Sequence, residues 1–507
     1  MAARLSKHGQ SVIGLLRALN VEASGVPRTR PIYRRIVELI DRGIARGSLA
    51  PGFRLPPERD FAAALRVSRT TIVAAYRELE SRGLARGYVG RGTFVAAKRD
   101  GDTPFAWRGK ISATALQTTD STLRDLMRHA ADPSIVSLAA GEPALDVFPV
   151  EAFRAAVDDV LSRHGTAAWG HGPTEGQARF REALAGRFGG AAANMLVIAG
   201  AQQGLDLLAR CLIDRGDTVI VDRPGYLGAL QSFRSAGARM IGWDITRSDM
   251  GELEDLVLRF RPKLIYTNPT FQNPTGVTVP IRARRELIEL ARRFRVPIVE
   301  DETYCELALG STSPPPALHT LDEEGLVVIR VNSFSKVLAP GLRLGWIGAA
   351  RPIIEQLAIM KQQVDPHTQN LIQLVVARLI EVGMFDRHLG VLRIEHRRRR
   401  DALARALQRY VPDGALRFTV PDGGLFLWCR VEGDVSARDL QQRALEEKVF
   451  FVTGEPFYAD GGGVRELRLC FTARPPELSV RAARVIGTAL VDAARAVRHP
   501  EPLSRIV

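Results

Sequence analysis

The sequence predicts two folds in one chain: a small winged helix-turn-helix near the N-terminus and, beyond it, a large α/β domain built on a mostly parallel sheet. Three observations carry this reading. Residues 28–97 show three helical patterns followed by a hairpin pattern, and past residue 130 short strand-like runs alternate with longer helical ones. The basic charge is concentrated in the first of these regions. At 507 residues, 46% apolar and 25% charged, the chain has the make-up of an ordinary globular protein with room for about three domains. No run reaches the roughly 18 uncharged apolar residues of a membrane span. Near the start, Val12 to Leu16 is interrupted by Arg17 with no cleavage pattern after it, so a cytoplasmic protein is expected. Cys211, Cys305, Cys429 and Cys470 stand far apart without metal-site spacing, which argues against a disulfide framework or a structural zinc.

The elements of the small domain follow in order. After Pro31, apolar residues at Ile32, Tyr33, Ile36, Val37, Leu39, Ile40 and Ile44 keep helical spacing until Gly47. Pro56 and Pro57 open a second helix through Phe61 and Leu65. Ser68 is placed to cap a third, whose inner face is Ile72, Ala75, Tyr76 and Leu79 and which Gly83 stops. Leu84–Arg86 and Thr93–Val95 read as strands joined through Gly87, Gly90 and Gly92. Residues 28–99 carry sixteen arginine and lysine side chains against six carboxylates, a local excess of +10 out of a formal +14 for the chain. Such clustering is the footprint of a polyanion partner. The order of elements directs the start of the third helix, Arg69-Thr70-Thr71, to the major groove of double-stranded DNA, with Arg91 at the wing tip reaching backbone or minor groove.

Arg54-Leu55-Pro56-Pro57-Glu58-Arg59, Val67-Ser68-Arg69-Thr70-Thr71, Ala75-Tyr76 and Gly90-Arg91-Gly92-Thr93-Phe94-Val95 together resemble the GntR-type DNA-binding domain. The resemblance implies DNA contacts from Arg54, Arg59, Arg69, Thr70, Thr71 and Gly92, and Ser68, Tyr76 and Arg91 complete the candidate set. One departure is Pro57, where the family usually carries a capping Ser; proline is tolerated at a first helical position, so the helix is expected to persist.

Residues 98–132 mix Lys, Asp, Gly, Thr, Ser and Pro and read as a linker after an N-terminal extension (1–27) and the small domain (28–97). In the large domain (133–507), strand-like runs fall at 195–199, 218–221, 264–267, 297–300 and 327–332. Candidate chemistry clusters just past their carboxyl ends, where open α/β sheets bind ligands. Gly200-Ala201-Gln202 opens a helix and suits a phosphate. The loop Asn268 to Gly276 presents Asn273, Asp301 ends a strand with Tyr304 three residues on, Ser333-Phe334-Ser335-Lys336 and Arg343 follow the next, and Arg468 lies near the C-terminus.

In this order, these groups are the ones pyridoxal 5'-phosphate needs: an amine, an acid beside the ring nitrogen, donors to the ring oxygen and a phosphate cradle. The stretch from Ser137 onward resembles the fold type I, aspartate aminotransferase-like family, which adds a smaller C-terminal α+β subdomain at about 385–507. The resemblance implies that Lys336 attaches the cofactor and moves the Cα proton, while Asp301 keeps the pyridine nitrogen protonated. Asn273 and Tyr304 donate to the ring oxygen and Tyr226 stacks on the ring. Gly200, Ala201, Gln202, Ser333, Ser335 and Arg343 hold the phosphate, and Arg468, with Gly141 beside it, takes an α-carboxylate. Trp169 departs from the family, which usually has there a Tyr reaching the partner subunit's cofactor. His164 and His171 read as turn or surface residues, and the run His396 to Arg400 as a solvated or DNA-facing helix surface.

The two halves in this order resemble the MocR family of bacterial regulators. That implies a homodimeric transcription regulator binding an operator and sensing pyridoxal phosphate or an amino compound. Two alternatives stay open: an active aminotransferase with an accessory DNA-binding domain, and a DNA binder whose large domain is only a dimerisation scaffold.

Overall fold

The computed structural model describes residues 31–45, 49–50, 52–88, 92–96, 110–112, 128–130 and 132–498. The fold divides into two compact units, residues 1–119 and 120–507, and the division falls within the stretch expected to link them.

In the first unit, helices α1 (Ile32–Ala45), α2 (Glu58–Leu65) and α3 (Arg69–Ser81) precede a hairpin of β1 (Ala85–Tyr88) and β2 (Gly92–Val95). Ile36, Val37 and Ile40 meet Phe61, Ile72, Ala75, Leu79 and Val95 in one core, and each fully buried aliphatic side chain contributes about 1.5–3 kcal/mol. The turn between α2 and α3 is tight because Arg66 takes the left-handed conformation (φ 52°) and Ser68 at once caps α3, accepting from Thr71 N at 3.2 Å. Pro57 stands one position earlier than expected: it is the N-cap of α2, not its first helical residue, and gives that end no side-chain hydrogen bond. Leu55 N donates to Thr93 O at 2.9 Å, stitching the segment before α2 onto the wing. The wing tip, Arg91 included, and Gly47 lie outside the described residues.

The second unit begins with β3 (Val136–Ser137). Its central sheet comprises β4 (Met195–Ile198), β5 (Thr218–Arg223), β6 (Arg239–Asp244), β7 (Leu264–Thr267), β8 (Ile298–Asp301), β9 (Val328–Ser333) and β10 (Gly345–Gly348), in the order β4-β10-β9-β8-β7-β5-β6. Only β10 runs antiparallel to its neighbours. Sequence reading missed β6, whose outward positions carry mixed polarity, and β10, which looks like a turn because glycines bracket it. Gly345 is required there: a Cβ would lie 2.6 Å from the Asn332 carbonyl. Helix α4 (Ala201–Leu212) follows β4 directly.

The long helix α5 (Met384–Tyr410) joins this layer to the C-terminal subdomain, placing Phe385, Leu389 and Leu392 in one core and Leu403 and Leu407 in the next. That subdomain holds β11 (Leu416–Phe418), β12 (Phe426–Val431), β13 (Val449–Phe450), β14 (Val452–Thr453) and β15 (Glu466–Cys470), with an antiparallel sheet of order β11-β12-β15-β14. β13 pairs with β3, so the start of the unit is built into its last part. The run His396–Arg400 on α5 corrects the surface expectation. His396 and Arg399 are 0% and 2% exposed and face inward, while Arg397 and Arg398 are exposed. No described helix is long and apolar enough to cross a membrane.

Candidate functional site

Strand ends set out the pocket. Asp301 and Ser333 are the last residues of β8 and β9, and Gly200 follows β4 by two positions, so all three reach one edge of the sheet. A pocket there is lined by Ala201, Gln202, Tyr226, Asp301, Thr303, Tyr304, Ser333, Ser335, Lys336 and Arg343. Nine of these ten are residues singled out in the sequence, and Thr303 is the addition. Of the other four expected residues, Gly200 directly precedes Ala201, and hydrogen bonds tie the remaining three to the pocket. Asn273 Nδ2 donates to the Tyr304 oxygen at 3.0 Å, Arg468 Nη1 donates to Asn273 Oδ1 at 2.8 Å, and Lys336 Nζ donates to the Gly141 carbonyl at 2.6 Å.

At one end, Gly200 (φ 88°) precedes α4 without a side-chain cap, which leaves the first N–H groups of the helix for an anion. Arg343 Nη2 donates to the Ala199 carbonyl at 2.8 Å, and a Cβ at Gly200 would come to 3.0 Å from it. Ser333 Oγ and Ser335 Oγ lie 3.0 Å apart. The side chain of Gln202 is engaged elsewhere, donating to Gly228 O at 3.1 Å and Ser232 Oγ at 3.0 Å. That leaves its backbone N–H as the group it could offer an anion.

In the middle, Asp301 is fully enclosed. Its Oδ1 accepts from Thr303 N at 3.1 Å and Thr303 Oγ1 at 2.6 Å, and Oδ2 accepts from the Tyr266 hydroxyl at 2.9 Å. Burial pushes its carboxyl up and these donors pull it back. Burial lowers the Lys336 amine to about 8 and raises the Tyr226 phenol to about 12. Lys336 thus holds a larger neutral fraction near neutrality than an exposed lysine does.

At the far end, the Arg468 guanidinium lies 4.1 Å from the centre of the Phe426 ring and 5.0 Å from that of Phe457, and its Nη2 donates to Ala139 O at 2.6 Å. Its Nε is buried without a hydrogen-bond partner. Asn268, unremarked in the sequence apart from its loop, links the parts: Nδ2 donates to the Asp301 carbonyl at 2.5 Å, Oδ1 accepts from Asn273 N at 2.8 Å, and its N–H donates to Asp222 Oδ2 at 2.8 Å. Burial raises Asp222 to about 7. A turn-rich loop between two buried strands was the available signal for Asn268; Tyr266 and Asp222, one apolar-looking strand away, gave none.

On the small unit, Arg54, Arg59, Ser68, Arg69 and Thr70 are exposed and Thr71 is half-buried. Arg69 Nη2 is 3.0 Å from Glu58 Oε2, and a Cβ at Gly92 would meet Arg54 Nε at 3.1 Å. Tyr76 does not belong with them. It is 4% exposed and its hydroxyl donates to Pro56 O at 2.7 Å, so it supports the recognition helix from inside.

Residues 133–486 match the aminotransferase class I and II family, and residues 32–95 match the bacterial regulatory proteins of the gntR family. The 2-aminoadipate transaminase of Thermus thermophilus is 37% identical over 390 residues, 76% of this chain and 98% of that protein. The uncharacterized HTH-type transcriptional regulator YisV of Bacillus subtilis is 30% identical over 87% of this chain and 92% of its own. The crystal structure of the Thermus thermophilus α-aminoadipate aminotransferase LysN, complexed with N-(5'-phosphopyridoxyl)-L-leucine, is 36% identical. It covers 77% of this chain and 100% of that one with a TM-score of 0.73. The chain belongs to the aminotransferase class I and II family, and carries a gntR-family regulatory domain ahead of the aminotransferase domain.

Proposed function

We propose that this chain is a DNA-binding transcription regulator that binds pyridoxal 5'-phosphate and responds, through its aminotransferase-like domain, to that cofactor or to an amino compound. The observation that carries the reading is that one chain holds both a cofactor-type pocket at the strand ends and an exposed start to the recognition helix. A relative named as a transcriptional regulator matches it across both.

The residues present fit the cofactor. The uncapped start of α4 with Arg343, Ser333 and Ser335 suits a phosphate. The enclosed Asp301 suits a ring cation, the depressed amine of Lys336 suits an aldehyde, and the unpartnered Nε of Arg468 suits a carboxylate. When bound, pyridoxal phosphate supplies an electron sink for the amine carbon of a ligand. Asp301, itself held by Thr303 and Tyr266, would hold a proton at the pyridine nitrogen. Asn273 donates to the Tyr304 oxygen, which leaves the phenol hydrogen for the ring oxygen. Lys336 would be the group that takes and returns the proton at Cα, Tyr226 would flank the ring, and Arg468 would orient the carboxylate.

Regulation follows from linkage: a ligand that favours one arrangement of the large domain shifts DNA affinity by the same coupling free energy. In this reading the chain works in the cytoplasm as a homodimer that offers two winged helices to paired half-sites. Trp169, 68% exposed at the end of the short 3-10 helix Gly165–Trp169, supports a protein partner at that face. The second reading, a working aminotransferase, is favoured by the intact set of Lys336, Asp301 and Arg468 and by the transaminase relative aligned over nearly its whole length.

The test is a visible absorption spectrum of the full chain before and after a panel of amino acids, with keto acid assayed in the same samples and DNA binding followed by anisotropy. A spectral shift that alters DNA affinity without keto acid supports the regulator. Stoichiometric keto acid moves the enzyme reading to first place, and a colourless chain that cannot be reconstituted overturns both.

A further inference from the structure

The half-buried basic run on α5 has a part to play at the site. The segment Ala139–Val147 reaches the site through its backbone. Ala139 O accepts from Arg468, Gly141 O from Lys336, and a Cβ at Gly141 would strike the Phe426 ring at 2.7 Å. Its near end is sewn to the C-terminal subdomain through β3 and β13. Its far end is held by α5: Ala144 N donates to His396 Nε2 at 3.1 Å, and Arg399 Nη2 donates to Asp146 Oδ2. Arg399 is itself fixed by Glu395 Oε1 at 2.6 Å and the Thr472 carbonyl at 2.8 Å.

We infer that His396 and Arg399 form a clamp whose function is to position the Ala139–Gly141 backbone, and through it the Arg468 guanidinium, for the carboxylate of a bound amino compound. The inference rests on the cofactor-pocket reading above. Two acceptors, Ala139 O and Asn273 Oδ1, occupy two of the five guanidinium N–H groups, set its plane and leave three, Nε among them, for a ligand. Asn273 is anchored in its own loop by Asn268. Ala139 follows Leu138, which is backbone-paired on both sides, Leu138 N donating to Phe450 O and Cys470 N to Leu138 O at 2.7 Å each. Beyond it Thr472 Oγ1 donates to Glu142 O, and the stretch has little secondary structure of its own, so the grip of α5 at Ala144 and Asp146 sets its far side. His396 does this as a neutral acceptor. With Nε2 accepting, the ring hydrogen is on Nδ1, which has no partner. Its role is geometric and does not require a charge. His396 and Arg399 touch neither ligand nor cofactor in this reading; they are positioning residues.

The clamp therefore matters for the carboxylate and not for the phosphate end, which lies at α4. Two probes separate these by calorimetry on the cofactor-free full chain: pyridoxal phosphate alone, and N-(5'-phosphopyridoxyl)-L-leucine, which adds the carboxylate. Asp146→Ala removes one arm at a side chain that is 61% exposed, so the variant is expected to fold. It should weaken the conjugate about fivefold to tenfold, the equivalent of one or so hydrogen bonds, and change pyridoxal phosphate less than twofold. His396→Leu should do the same, and His396→Gln, which keeps an acceptor at the same reach, should restore most of the loss. Unchanged conjugate affinity in Asp146→Ala and His396→Leu overturns the clamp. So does equal weakening of both probes, which marks a merely structural role. A wild-type chain that binds neither probe overturns the pocket reading and the clamp with it.

Discussion

The two regions that carry function in this chain are built in opposite ways. In the pocket, nearly every functional side chain is held by another: Asp301 by Thr303 and Tyr266, Asn273 by Tyr304 and Arg468, and Arg468 by Ala139 as well. On the winged helix, Arg59, Arg69 and Thr70 project into solvent, and among these three the one ion pair is the exposed contact of Arg69 with Glu58. The difference teaches where the ordering cost falls. The pocket is arranged as the chain folds, so a small ligand meets fixed groups. On the proposed reading the exposed side chains of the recognition face are ordered only when phosphates and base edges meet them, so affinity for DNA should depend on salt and on sequence.

The largest effect comes from breaking the ordered side. Lys336→Ala removes the amine while leaving the cradle at α4 and Asp301 in place. The expected outcome is complete loss of the covalently held chromophore: cofactor added to the variant should pass through a desalting column separately from the protein. DNA affinity should persist but stop responding to added amino compounds. DNA binding that was indifferent to the cofactor in the wild-type chain as well would instead favour the scaffold alternative.

A second test addresses the cost of that order. Burial holds the Asp222 carboxyl at about 7. Below about pH 4 it is protonated in both folded and unfolded chains. Between about 4 and 7 the unfolded chain releases a proton that the folded chain keeps, so stability falls as pH rises through this window and levels off above it. The full drop is roughly 4 kcal/mol at most. Asp222→Asn keeps an oxygen for Asn268 N and abolishes the titration. Urea midpoints of the cofactor-free protein at pH 5 and pH 8 should differ less in the variant than in the wild type; parallel behaviour would show that Asp222 is not the buried acid described.

The loose side is tested by Arg69→Ala. A base contact from the start of α3 is worth about 1–3 kcal/mol, so anisotropy should show roughly tenfold weaker binding to the operator and little change on unrelated DNA. A uniform loss on both sequences would assign Arg69 to phosphate instead.

How much of this was legible in the sequence follows from the same contrast. Residues that must be one type for chemical reasons, such as Lys336, Asp301, Asn273 and Arg343, stand in short runs past strand ends, and the structure brings them together. The residues that hold them are scattered. Tyr266 lies inside a fully buried strand and reads as core, and Asp222 reads as a strand-end acid. Composition misled at two helices. Tyr76 sits in a motif expected to contact DNA, yet its place on the helix turns it inward to Pro56. His396–Arg400 looks uniformly polar, but at 3.6 residues per turn His396 and Arg399 share a face, and that face packs against the rest of the unit. Charge alone says nothing about which side of a helix is covered when the covering groups, here Ala144, Asp146 and Thr472, come from remote parts of the chain.

The smallest effect sharpens the comparison most, because it asks whether the loose side is loose throughout. Glu58 donates no hydrogen to Arg69 and only accepts; the contact is 3.0 Å long with both side chains more than a third exposed. Exposed pairs of this kind are worth about 0.2–1 kcal/mol. If the pair only parks Arg69 away from DNA, Glu58→Gln frees the guanidinium and removes a negative charge from the binding face, and operator affinity rises two- to fivefold at low salt. If instead Glu58 aims Arg69 at its base, the same substitution lowers operator affinity while leaving unrelated DNA unchanged or slightly tighter. The first result keeps the contrast between a built pocket and an unbuilt recognition face. The second shows that at least one base reader is prearranged, and that the ordering seen around Asp301 has a smaller counterpart at the start of α3.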